Sequence, residues 1–414
     1  MTRPIKIAKF GGSSLTSAAH IQRCVTLCRK EHFRVVVVSA IGKTTRLLLE
    51  IFHNPQDRME KAQALLAQHH AIAQELTTDP QRLALLQQVE EEFLAFLSTL
   101  SQKDLEHQDR LLSFGERLSV ALFSIAFDEA TPVDARNIIK TDDQFSRAEP
   151  DMAAITRKVR NELRPQLQEG PVLLEGFIGT SPQNKPTTLG FEGSDLTASL
   201  LGGALNAQQV TIFTDVRGVY RADPRLLPDN AFLPHLSYTQ MSRLASLGGK
   251  VLHERTLDPL QSKEIPLFIR SSLDPKFEGT LIDANHAPDF WGITLLEGMC
   301  AVKIDPLQKM EVFQRSRPTK VFFAPHKDHG LLAIVEQDTP LRPLTEIVFP
   351  SFLLLSVLGI PKKTLQDSFH HMDFTPLFLV EGPDMFAIPV MDSDPSTMLQ
   401  NLYTTLLKTS KGDL

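Results

Sequence analysis

The run FRVVVVSA, residues 33–40, constrains this chain more than any other stretch. Four consecutive β-branched residues show no apolar–polar alternation, so neither face of their strand is suited to water. Such a strand belongs inside a parallel sheet with helices on both faces. The preceding residues agree. IKIAKF, Ile5–Phe10, reads as a short strand ending in a Gly-Gly turn. TSAAHIQRCVTLCRKE then supplies an amphipathic helix, with a Thr16/Ser17 start and apolar Ile21, Val25 and Leu27. Strand, helix and strand in close succession form a βαβ unit. The expected fold is therefore α/β, an open and mainly parallel sheet with helices on both faces.

Further along, composition shifts to Leu, Ala, Gln and Glu between about residues 54 and 110. KAQALLAQHHAIAQEL and PQRLALLQQVEEEFLAFLSTL carry apolar stripes and are split by Asp79-Pro80, so they read as a helical insertion beside the sheet. RLLSFGERLSVALFSIAF is a further helix, while GPVLLEGFIGTS, QQVTIFTDVRGVY and IPLFIRSSLDP read as strands of the same sheet. The sheet region ends near residue 285. From 293 to 414 short strand-like runs alternate with weaker helical ones, as in one or two small α+β modules. A chain of 414 residues is expected to contain two or three domains. The net charge of −6 argues against a nucleic-acid surface. Lys6 and Lys9 interrupt any apolar leader core, and the apolar run 349–361 is too short and broken to span a bilayer. Three cysteines give no disulfide framework, which with the rest points to the cytoplasm.

Three stretches suggest chemistry. In KFGGSSL, Lys9 ends the first strand just before Gly11 and Gly12, where a backbone without side chains lets an anion approach its N–H groups. VVVVSAIGKTTRLL resembles the tail of a phosphate-binding loop, but the first glycine of that motif would fall on Val37, inside the strand, which excludes a P-loop. Ser39, Gly42, Thr44 and Thr45 still follow a buried parallel strand, at the end where open α/β sheets bind ligands. TDVRGVYRADPR offers Thr214 and Asp215 at a strand end, a turn at Gly218, and Arg225, a set suited to a nucleotide's sugar and phosphates.

Together with FGERLS, TDDQFSRAEPD, GFIG, TTLGFEGSDLTA and GGKVLHERTLDP, these strings occur in the order found in aspartate kinases, and the chain resembles that family from Ile5 to Ile282, most closely its monofunctional lysine-sensitive type. The resemblance implies an amino-acid kinase fold over 1–285 and a degenerate ACT-like regulatory or dimerisation region over 293–414. It also implies transfer of the ATP γ-phosphate to the side-chain carboxylate of L-aspartate, giving 4-phospho-L-aspartate. This is the first step of lysine, diaminopimelate, threonine and methionine biosynthesis. The aspartate carboxylate is already ionised at neutral pH, so no general base is required; the task is positioning and charge neutralisation. On the family pattern Lys9 and Asp195 are catalytic. Ser39, Thr45, Glu116, Phe177 and Ser194 line the aspartate pocket, with Glu116 facing the substrate ammonium. Lys9, Gly11, Gly12, Ser13, Thr214, Asp215, Tyr220, Arg225 and Lys250 hold ATP, and Mg²⁺ arrives with the nucleotide rather than in a protein cage. A homodimer or larger homo-oligomer is implied, and lysine is the implied effector, although DPLQKMEVF stands where the family has a longer effector segment.

One departure is sharp. The family pattern T-L-G-R-G-G-S-D is here Thr188 to Asp195 with Phe191 and Glu192 in place of Arg and Gly. Phenylalanine cannot imitate a bidentate arginine–carboxylate pair, and Glu192 adds a negative charge near two anionic ligands. Either another cation supplies the clamp (Lys185, Arg117 and Lys43 are nearest by motif), or the acceptor has changed, or catalysis has been lost. The presence of Lys9, Glu116, Ser194 and Asp195 favours the first.

Overall fold

The computed structural model describes residues 4–101, 104–249, 251–288, 290–304, 322–326, 330–336, 346–360, 380–382, 385–390 and 395–410. The chain divides into two compact units, Met1–Gly218 with Arg255–Asn285, and Val219–Glu254 with His286–Leu414.

The first unit is built on strands β1 (Lys6–Phe10), β2 (Val35–Val38), β3 (Thr131–Val133), β4 (Val172–Glu175), β5 (Ile178–Thr180), β6 (Pro186–Thr188) and β7 (Gln209–Thr214). β8 (Val219–Tyr220), β9 (Phe232–Leu233) and β10 (His235–Ser237) belong to the second unit, and β11 (Leu267–Ser271) and β12 (Thr280–Asp283) return to the first. Its main sheet runs β12-β11-β7-β1-β2-β4-β3, parallel except where β12 turns back on β11. β1 and β2 occupy its centre, and all four valines of β2 are buried, as the unbroken β-branched run requires.

Helices α1 (Ala18–Glu31), α2 (Thr44–His53), α3 (Arg58–Leu76), α4 (Pro80–Thr99), α5 (Leu105–Ala126), α6 (Ala135–Ile138), α7 (Met152–Lys158), α8 (Arg164–Glu169) and α9 (Gly193–Leu205) surround it. Asp79 caps α4 through the Gln81 N–H, with Pro80 in the first turn, so the Asp-Pro pair ends one helix and starts the next. A stack of Phe213, Phe10 and Phe123, with ring centroids 4.8 and 6.0 Å apart, ties β7 and β1 to α5. The stretch GPVLLEGFIGTS does not form one strand. It breaks after Glu175 because Phe177 adopts a left-handed φ of 67°, which sends β5 out of the main sheet to pair with β6.

In the second unit α10 (Tyr238–Ser246) starts with a reciprocal capping box between Ser237 and Gln240. α11 (Asp258–Gln261) lies in the first unit. β13 (Gly292–Ile304), β14 (Phe322–His326), β15 (Gly330–Glu336), β16 (Glu346–Leu358), β17 (Val380–Gly382) and β18 (Met385–Val390) form an antiparallel sheet in the order β14-β15-β13-β16-β18-β17, closed by a helix over Pro395–Ser410. These elements are consistent with ACT-like α+β modules. Residues 219–254, which the sequence reading places with the N-terminal domain, cluster here for a physical reason. Ala222 and Leu227 share a core with Trp291, Ile293, Leu355 and Leu402, and the Tyr403 hydroxyl accepts the Ala231 N–H at 2.6 Å. The DPLQKMEVF segment lies outside the described residues.

Candidate active site

Strand register builds the site. Phe10 lies beside Val38 and Phe213, and Val38 lies beside Glu175, so these residues form one row at the carboxyl edge of the sheet. The ladder continues one residue further: Gly11 N–H donates to Phe213 O, Ser39 N–H to Phe10 O and Gly176 N–H to Val38 O, at 2.9–3.1 Å. Gly11, Ser39, Gly176 and Thr214 therefore stand together where open parallel sheets receive ligands.

Lys9 and Asp195 meet at this edge. The ammonium lies 2.6 Å from the Asp195 carboxylate, with side chains 10% and 7% exposed. Asp195 is in the first turn of α9, where a carboxylate is favoured by the free N–H groups. The turns around the pair leave no room for side chains. A Cβ on Gly12 would stand 2.4 Å from Ala40 O, and one on Gly176 would stand 2.4 Å from Ser194 Cβ. Gly12→Ala is therefore expected to destabilise the fold by about 1–3 kcal/mol, read as a lower midpoint in urea.

Glu116 sits on α5, fully buried, with one oxygen accepting the Ala40 N–H at 3.2 Å. Burial pushes its carboxyl up to about 8; the Ala40 N–H opposes this, the nearby Glu175 carboxylate adds to it, and Lys9 opposes it. Glu175 ends β4, accepts the Ala135 N–H at 2.8 Å, and is raised by burial and then by Asp134. Phe177 donates its N–H to Thr197 Oγ1 on α9, and its ring lies 2.8 Å from where a Gly193 Cβ would be. That contact sets Phe177 and Ser194 against the same turn.

The other expected residues fall on separate elements. Ser13 is exposed in the 3-10 turn Gly12–Leu15, and Thr45 is half-buried in the first turn of α2. Thr214 Oγ1 donates to Asp215 Oδ1 at 2.9 Å at the end of β7. Tyr220 and Arg225 belong to the second unit, where Tyr220 packs edge-on against Phe232 and Arg225 pairs with Asp223 at 2.8 Å. Lys250 lies outside the described residues. Among the described residues no three His, Cys, Asp or Glu side chains converge as a metal site, and no helix is long and apolar enough to cross a membrane.

The departed loop is well placed but differently built. Glu192 takes a left-handed φ of 55° and Gly190 one of 81°. The Phe191 ring is 82% exposed, so it clamps nothing. Two of the three substitute cations are committed elsewhere: Lys185 pairs with Glu106 at 2.7 Å and Arg117 with Glu92 at 2.5 Å. Lys43, at the start of α2, is exposed and forms no ion pair among the described residues. Two acids escaped the sequence reading. Glu175 is one; its signal was a carboxylate closing an otherwise apolar, doubly buried strand. Asp109 is the other. It is fully buried and accepts the Ser146 and Thr188 N–H groups and the Thr188 hydroxyl at 2.7–2.9 Å, so it pins β6 just before the loop. Burial raises its carboxyl to about 6 despite those three donors.

A model of the amino acid kinase family matches residues 4–271, and the chain belongs to that family. Lysine-sensitive aspartokinase 3 of Escherichia coli (strain K12) is 35% identical over 290 residues, 67% of this chain and 64% of that protein. An aspartokinase of Chlamydia muridarum is 37% identical over 294 residues, 67% of this chain and 63% of that protein. The chain thus spans somewhat less than two thirds of the curated relatives it matches. The crystal structure of E. coli aspartokinase III in complex with aspartate and ADP superposes with a TM-score of 0.88 at 26% identity, covering 97% of this chain and 100% of that one. The same enzyme in complex with lysine and aspartate gives 0.79.

Proposed function

We propose that this chain transfers the γ-phosphoryl group of ATP to the side-chain carboxylate of L-aspartate, producing 4-phospho-L-aspartate and ADP. The observation that carries the reading is the buried Lys9–Asp195 pair at the carboxyl edge of the sheet, in a chain whose fold follows a relative crystallised with aspartate and ADP. In this reading Lys9 neutralises charge on the transferred group, and Asp195 holds the ammonium in place between turnovers. Gly11, Gly12 and Ser13 donate to the phosphates. Thr214 and Asp215, with Tyr220, Arg225 and Lys250, hold the nucleotide, which arrives as Mg-ATP. Ser39, Thr45, Phe177 and Ser194 shape the acceptor pocket, and Glu116 receives the substrate ammonium. Lys43 takes over the carboxylate contact that Phe191 cannot make. The relative crystallised with lysine supports an amino-acid effector, and the second unit is the region to bind it and to form a homo-oligomer in the cytoplasm.

Phe191 and Glu192 favour one competing reading, a changed acceptor. An acceptor screen at fixed Mg-ATP, with L-aspartate, L-glutamate and N-acetyl-L-glutamate, separates the two. Phosphotransfer selective for aspartate supports the proposal, and selectivity for another acid overturns it. The double variant Phe191→Arg/Glu192→Gly is expected to lower KM for aspartate about tenfold with kcat little changed, because an added carboxylate clamp strengthens ground and transition states alike.

A further inference from the structure

Away from the sheet edge, a second constellation has no role in phosphotransfer. A cavity of about 270 Å³ opens between α4, α5 and α6, lined by Arg110, Arg117, Arg136, Glu92, Phe96 and Phe114. Two of the three guanidinium groups around so small a space are held there by ring stacking. Arg110 lies over the Phe96 ring at 4.5 Å and Arg117 over the Phe114 ring at 5.0 Å. Stacking of this kind orients the planar fork before any ligand arrives. Arg117 is buried, its side chain 9% exposed and paired with Glu92, while Arg136 pairs with Asp134 at 2.6 Å. Arg110 is exposed and forms no ion pair among the described residues. The three arginines of the lining are opposed by two carboxylates, Glu92 on Arg117 and Asp134 behind Arg136, so the set keeps one positive charge, that of Arg110.

We infer that this cavity is a binding site for a compact oxyanion of the phosphate or dicarboxylate class. Arg110 supplies the bidentate donor, Arg136 lines the cavity with its Nε and Nη2 held by Asp134, and Arg117 forms its charged floor. The site is distinct from the Lys9 edge. It is joined to it covalently, because Arg117 follows Glu116 on α5. An occupant that draws Arg117 from Glu92 acts on the helix turn that presents Glu116 to the acceptor pocket.

The test uses the full chain carrying Lys9→Met/Asp195→Asn, which weakens anion binding at the phosphotransfer site without leaving a buried charge unpaired, and titrates inorganic phosphate in one arm and succinate in the other by calorimetry. Saturable binding near one equivalent in either arm is expected, weakened at least tenfold by adding Arg110→Gln and weakened also by sodium chloride. The arm that binds identifies the oxyanion class. Arg110 is a surface residue, so its variant is expected to fold; an unchanged melting temperature establishes this, and Arg136→Gln repeats the test from the other side. Absence of binding in both arms, or binding indifferent to both arginine substitutions, overturns the inference. Phosphotransfer by the Arg110→Gln single variant is expected to persist, so failure here leaves the kinase reading untouched.

Discussion

Lys9→Ala is expected to remove phosphotransfer, lowering kcat by about 10²–10³-fold or more, because the lost ammonium faces charge that grows as the phosphoryl group leaves ADP. The same substitution strands Asp195, 7% exposed and 2.6 Å from the ammonium, without its partner. A buried charge left unpaired destabilises a fold by about 3–5 kcal/mol, so lost activity alone would not separate chemistry from folding. The pair Lys9→Met/Asp195→Asn does separate them. Its melting temperature should recover most of the loss while its activity should not. Recovery of both would place Lys9 in the scaffold rather than in catalysis.

Glu116→Gln has the next largest expected effect, and it runs in opposite directions for activity and stability. Truncating a buried charge pair to a substrate costs about 2–5 kcal/mol, so kcat/KM for aspartate should fall by at least about 30-fold. Stability behaves differently. Burial holds the Glu116 proton up to about 8, against an ordinary value of 4.5 in the unfolded chain. Between those values the folded state holds more proton than the unfolded one. The resulting contribution is full on the acid side of 4.5 and is lost as pH rises through 8. Glutamine removes that dependence, so the variant should melt higher than the wild type at pH 8 and nearly level with it at pH 5. The wild type's affinity for aspartate should rise with pH over the same window, since the ammonium requires the ionised carboxylate. Parallel melting curves across this range would contradict the assignment.

How much of this was legible beforehand depended on whether the signal was local. The unbroken valines of β2 announced a doubly buried parallel strand, and Asp79-Pro80 announced the break between α3 and α4. Lys9 beside Gly11 and Gly12, and Asp195 at a helix start, were readable as a candidate phosphate site because a few neighbouring residues define each, and the structure brings Lys9 and Asp195 together. Other features depend on contacts distant in sequence. Glu175 looked like an ordinary strand end until β2 and β4 placed it in the row with Phe10 and Val38, near Glu116. Asp109 acquires its role only through Ser146 and Thr188, 37 and 79 residues away. Lys185 and Arg117 are suitable cations by motif position, yet Glu106 and Glu92 take them. The break at Phe177 needed a left-handed residue that is not glycine, which propensity disfavours and the Thr197 hydroxyl and the α9 turn impose.

The most direct measurement is acyl-phosphate formation by the purified full chain with Mg-ATP, trapped by hydroxylamine as the hydroxamate, with and without L-aspartate. The proposed function predicts hydroxamate that depends on aspartate and vanishes in Lys9→Ala. ATP binding with no aspartate-dependent hydroxamate above the Lys9→Ala background would contradict it.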